Sequence, residues 1–189
     1  MSSGGYSNPS DALTGEQGLE PYFSLGDYTR SISTNSEEAE TWFNRGLKWC
    51  YAFHHKEARR CFEQTVELDP DCAMGYWGIA YATGPYYNIP WEKMPPHARP
   101  QIIATTYEHA RKAVEVAASG NASPVEQALC KALTLRFQES EIDDPDDMDV
   151  LARWDDAYAD AMRTVYRDFP EDYDVCALTA EALMVRTPW

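Results

Sequence analysis

From Ser36 to about Val185 the apolar positions step by three and four instead of alternating, which is the period of helices packed on one face. Ala39, Trp42, Gly46 and Trp49 show that spacing at the start of the run. The pattern predicts seven helices, over 37–51, 55–68, 72–83, 99–118, 124–138, 149–168 and 172–185. Start signals agree with it. Ser36 stands before a group of acids suited to the positive end of a helix dipole. In "SPVEQAL", Ser123 is placed to cap, Pro124 takes the first helical position and Glu126 completes a capping box. No stretch alternates like a strand bounded by hairpin turns. Residues 1–35 have no sustained period and are rich in Ser, Gly, Pro and acids. They predict a mostly disordered N-terminal arm, tacked down near Tyr22 and Phe23.

The helices group into pairs. Over residues 39–72, small Gly46 and Ala58 allow two helices to approach, bulky Trp42, Trp49 and Phe62 fill the gaps, and Pro70 ends the second helix. This spacing resembles the tetratricopeptide repeat, a helix pair of about 34 residues. Arg45 and Thr65 depart from the usual Leu and Ala of that repeat. A second unit spans 73–120, interrupted at 84–100 by "GPYYNIPWEKMPPHARP" with its five prolines. A third spans 123–171, split by an acidic stretch, and 172–185 is a first helix without a partner, followed by a short tail at 186–189. The resemblance covers residues 37–185. It implies an all-α, right-handed solenoid of antiparallel helix pairs, tetratricopeptide-repeat-like throughout. The run "WFNRGLKWCYAFHHKEA…CAMGYWGIAYATGPYYNIPW" is also similar to a narrower microbial and fungal group of such proteins, which are usually longer.

Composition narrows the function. The chain has 189 residues, 44% of them hydrophobic, and a formal net charge of −15. That charge repels phosphate, which disfavours nucleic acid and anionic membrane as partners. No apolar run approaches the roughly 18 residues that cross a bilayer, and "MSSGGYSNPS" has neither the basic nor the apolar region of a secretory signal. A cytoplasmic location is the expectation. Cys50, Cys61, Cys72, Cys130 and Cys176 form no CxxC pair and read as reduced thiols packed in a core.

Candidate chemistry is sparse. No Walker loop, GxSxG, GxGxxG or HExxH is present, so no catalytic residue, metal site or cofactor is assigned. A soft metal site built from Cys50, His55 and Cys72 competes with inter-helix or cap hydrogen bonding by the histidines, which is preferred. The acidic run has six acids among the nine residues from Glu141 to Asp149 and lacks the glycine and glutamate spacing of a calcium loop. It reads as a solvated connector. The repeat resemblance places first helices on a concave face and so puts Phe43, Leu47, Trp77 and Tyr81 in a groove. The Lys and Asn clamp of chaperone-binding relatives is absent, because Phe43 and Leu47 fill its slots. The leading expectation is a protein or peptide partner, apolar or basic, docked on those four residues. Filling of the groove by the arm or by further helices is the plain alternative. Two other functions remain open: small-molecule chemistry in a cleft near His55 and Asn88, and homodimerisation through the uncapped helix 172–185, with Val175, Leu178 and Leu183 exposed. The insert 84–100 is expected to act as a lid over the groove or as a strap on the first repeat.

Overall fold

A computed structural model describes residues 24–119 and 122–187. Seven α-helices follow in order: α1 (Glu37–Tyr51), α2 (His55–Leu68), α3 (Ala73–Thr83), α4 (Arg99–Ala117), α5 (Pro124–Arg136), α6 (Met148–Asp168) and α7 (Tyr173–Val185). Each expected helix is present within two residues at either end. The described residues contain no β-strand, only one isolated bridge, between Tyr86 and Ile89.

Local chemistry sets the boundaries. Ser36 accepts a hydrogen bond from the Ala39 amide, and Glu37, Glu38 and Glu40 occupy the first turn of α1. The chain turns through Phe53 at a positive φ of 59°, after which the His54 side chain accepts from the Glu57 amide and caps α2. The capping box of α5 forms as expected. Asp147, inside the acidic connector, caps α6, and Asp172 caps α7. Asp146 pairs with the buried Arg99, whose guanidinium also donates to the Trp91 and Met94 carbonyls. The connector and the insert are thus tied to one arginine.

The helices pack as antiparallel pairs, α1 with α2, α3 with α4 and α5 with α6. α1, α3 and α5 touch in succession and make an inner layer, while α7 lies against α6. This is an all-α, tetratricopeptide-repeat-like solenoid. α3 is central, with nine of its eleven residues buried and no polar face. The small-against-large code is visible at Phe62. A Cβ added at Gly46 of α1 or at Gly78 of α3 would lie 2.6 or 2.4 Å from its ring. The ring is held between two glycines, and neither position has room for a methyl group.

Candidate functional site

The four residues expected to line an open groove are not open. Phe43, Leu47, Trp77 and Tyr81 are exposed by 0, 1, 1 and 6%. Phe43 packs on Phe62 with ring centroids 5.5 Å apart, and Trp77 stacks on Tyr81 at 4.9 Å. Two features lie against α1. The N-terminus of α7 reaches α1, where the Tyr51 hydroxyl donates to Asp174. The arm then runs along α1 in extended form.

Residues 24–35 of the arm lie along α1; residues 1–23, including Tyr22 and Phe23, lie outside the described residues. The arm runs antiparallel to α1. Lys48 donates to the Gly26 carbonyl at 3.1 Å, and Glu40 accepts from the Ile32 amide at 3.3 Å. Between them, Asn44 holds one residue's backbone from both sides. Its Oδ1 accepts from the Arg30 amide at 2.7 Å, and its Nδ2 donates to the Arg30 carbonyl at 3.0 Å. Extended chain alternates its side chains. Thr29 and Ser31 are accordingly exposed, whereas Arg30 and Ile32 turn inward and Ile32 packs on the core.

The inward side chains meet acids at the N-terminal ends of α5 and α7. Arg30 Nη1 lies 2.7 Å from Asp172 Oδ1 and 2.9 Å from Asp174 Oδ2. The Tyr28 hydroxyl donates to Asp174 at 2.8 Å. Glu126 accepts the Ser33 amide at 2.7 Å and the Ser33 hydroxyl at 2.5 Å. Asp69 accepts from the Thr34 hydroxyl and, at 3.2 Å, from the Asn35 amide. The titration of the seam follows. Burial alone would lower the Arg30 pKa, but Asp172 and Asp174 outweigh it and raise it. Burial opposes ionisation of Asp172, yet the bond from Arg30 and the amides of Val175 and Asp174 hold its carboxyl below the usual range. Burial and the bond to Asp174 push the Tyr28 phenol up to about 12.

Deeper in the array a second cluster forms around Arg136, which is fully buried. Its Nε donates to Asp155 at 3.1 Å, its Nη1 lies 3.6 Å from Glu181, and its guanidinium sits 4.9 Å over the Tyr158 ring. Burial raises both carboxyls against the pull of Arg136. His55 stacks on Tyr86 at 3.7 Å, so the insert straps onto the first repeat at this point. Burial lowers the His55 pKa to about 4, and the nearby Arg136 adds to the effect against a hydrogen bond to Phe53.

His55 is half-buried beneath Tyr86, and Asn88, two residues along the same insert, is exposed. Among the described residues no group of three or more His, Cys, Asp or Glu is placed to hold a metal ion. The expected dimer face is also corrected, since Val175 and Leu178 are buried within the chain at 0 and 2% and Leu183 is partly buried. Of the packing residues of the first repeat, Ala58 and Phe62 are buried and Trp49 is partly buried. Arg30, Asn44, Asp172 and Asp174 were not singled out from sequence. One signal was available: Arg30 is the only Lys or Arg among the first 35 residues.

Residues 39–72 match the tetratricopeptide repeat family. The match covers one repeat of the array. Comparison with curated proteins and with solved structures finds no match. Repeats of this family generally mediate protein–protein interaction or scaffolding. No helix among the described residues is long and apolar enough to cross a membrane.

Proposed function

We propose that the chain is a protein-interaction module that takes an extended basic segment of a partner protein along α1 and the N-terminal ends of α5 and α7. One observation supports this above the others. Asn44, Glu126, Asp172 and Asp174, from three different helices, converge on a single extended stretch of polypeptide. The net charge of −15 favours basic segments over acidic ones and adds long-range attraction. The apolar side chains first assigned to docking serve the core instead, so recognition is by backbone clamping and charge. The likeness to a microbial and fungal group of repeat proteins, and a cytoplasmic location, are in keeping with this reading.

The test is a binding screen of extended peptides of basic, neutral and acidic composition against the full chain. Basic peptides should be retained at low salt and released as salt rises. Equal retention of peptides that carry no arginine or lysine would remove the reading.

A further inference from the structure

We propose that residues 28–33 of the arm are a built-in competitor, an intramolecular ligand occupying the groove that the partner must enter. The inference rests on the interaction reading above and names the register that the groove recognises. The bonds to this stretch are those a recognition site makes to a foreign peptide. Asn44 fixes the backbone of one residue through both its amide and its carbonyl, which requires extended chain but no particular side chain. The side chain of that same residue, Arg30, is only 9% exposed and lies between two carboxylates. Two residues on, Ile32 packs on the core; three on, Ser33 gives its amide and hydroxyl to Glu126.

The preferred partner is therefore an extended segment with arginine, an apolar residue two places later and a hydroxyl residue three places later. The sequence "YTRSIS" supplies that pattern in cis. Exchange is physically reasonable. The arm has no helix or ladder of its own, and polar contacts that water can replace dominate its anchoring. Its tether to α1 keeps its effective concentration high, so a trans segment competes only when it binds well or when the arm is weakened.

The probe is a labelled peptide, SLGDYTRSISTN, copied from residues 24–35. It is titrated into the full chain and into the full chain carrying Arg30→Glu, which sets a negative charge against Asp172 and Asp174. The variant should bind the peptide about tenfold or more tightly than the parent, the size expected when a buried charge-assisted bond no longer holds the competitor. A further Asn44→Ala change should cancel the gain. Equal binding by parent and variant, or none by a folded variant, overturns the inference.

Should Arg30→Glu fail to fold, the parent chain still decides. Excess peptide should speed hydrogen exchange at the Arg30, Ile32 and Ser33 amides, and a peptide with alanine in place of the arginine should not. Unchanged exchange at saturating peptide overturns the inference. Failure of the two readings is distinguishable. Basic peptides that bind without changing arm exchange leave the interaction module standing and remove the arm as competitor. If no basic peptide binds either chain, the module itself falls.

Discussion

Two arginines in this molecule each sit between two carboxylates, and they do different work. Arg136 is at the centre of the array, among α5, α6 and α7. Arg30 is at the edge, between an extended arm and the first turn of α7. Arg136 has no route to water without disruption of the core around it, because Tyr158 and Tyr81 are buried beside it. Arg30 is released as soon as one short segment peels away. The same ionic motif is therefore a fixed part of the fold in one place and a latch in the other. What separates them is the amount of structure that must open to solvate the charge.

The largest effect should come from breaking the central member. Arg136→Ala leaves Asp155 and Glu181 without their cation inside the core, and should cost about 3–5 kcal/mol in a denaturant melt. Replacing all three together (Arg136→Met, Asp155→Leu, Glu181→Leu) should recover most of that loss, because no charge is then left unpaired. A triple variant no more stable than Arg136→Ala would show that the cluster contributes shape and not charge balance.

Acid should strike the same region next. His55 has a folded pKa of about 4, below its ordinary value, so the folded state resists its protonation. Its contribution is complete above about pH 6.5 and is lost as pH falls towards 4, by about 3 kcal/mol at most. The carboxyls of Asp155 and Glu181 are shifted upward and so give the opposite slope. The difference between the parent and His55→Gln isolates the histidine. Stability of the parent should fall more steeply between pH 6.5 and 4, and parallel curves would remove the assignment.

The contrast also explains what was readable beforehand. Phe62 against Gly46 is a local rule of size and spacing written within one helix pair, and Gly78 carries it to the next pair. Helix order, the capping box and the repeat were legible for that reason. The groove was misplaced because spacing says which residues face inward, not what lies over them. Phe43 and Trp77 do face inward, and are covered. The seam was invisible for a different reason. An extended arm has no period, and its partners Glu126, Asp172 and Asp174 stand some 90 to 150 residues away. Glu126 was already accounted for by the capping box of α5, so nothing local marked its second role.

At the latch the effects should be smaller and local. Arg30→Gln should cost about 1–2 kcal/mol and bring the amides of residues 28–33 close to the exchange rate of free chain, while α3 keeps its protection. The parent arm should loosen in acid as well. Asp172 has a lowered pKa, so its contribution is present above about pH 4 and is lost as pH falls through the folded value. In Arg30→Gln that acid-driven loosening should be largely absent, because the bond from Arg30 is a main cause of the shift. An arm that stays protected in Arg30→Gln would make the seam ornamental and leave Arg136 as the working member of the two.

The smallest effect tests whether the latch is one unit. Asp174 collects three donors: Arg30 and the Tyr28 hydroxyl on one oxygen, and the Tyr51 hydroxyl on the other. Tyr28 is 42% exposed, so water readily replaces its bond and Tyr28→Phe should cost only about 0.5 kcal/mol. The informative quantity is the coupling. If the three donors share one carboxylate, losing the Tyr28 hydroxyl should matter less once Arg30→Gln has freed the arm, because Tyr28 travels with that arm. Tyr51 belongs to α1 and stays beside Asp174 whether the arm is docked or not. Tyr51→Phe should therefore keep its effect in the Arg30→Gln background. Coupling for Tyr28 and none for Tyr51 identifies the moving part as the arm alone. Equal coupling for both would mean that α7 shifts with it, and the latch would then reach into the array that Arg136 holds closed.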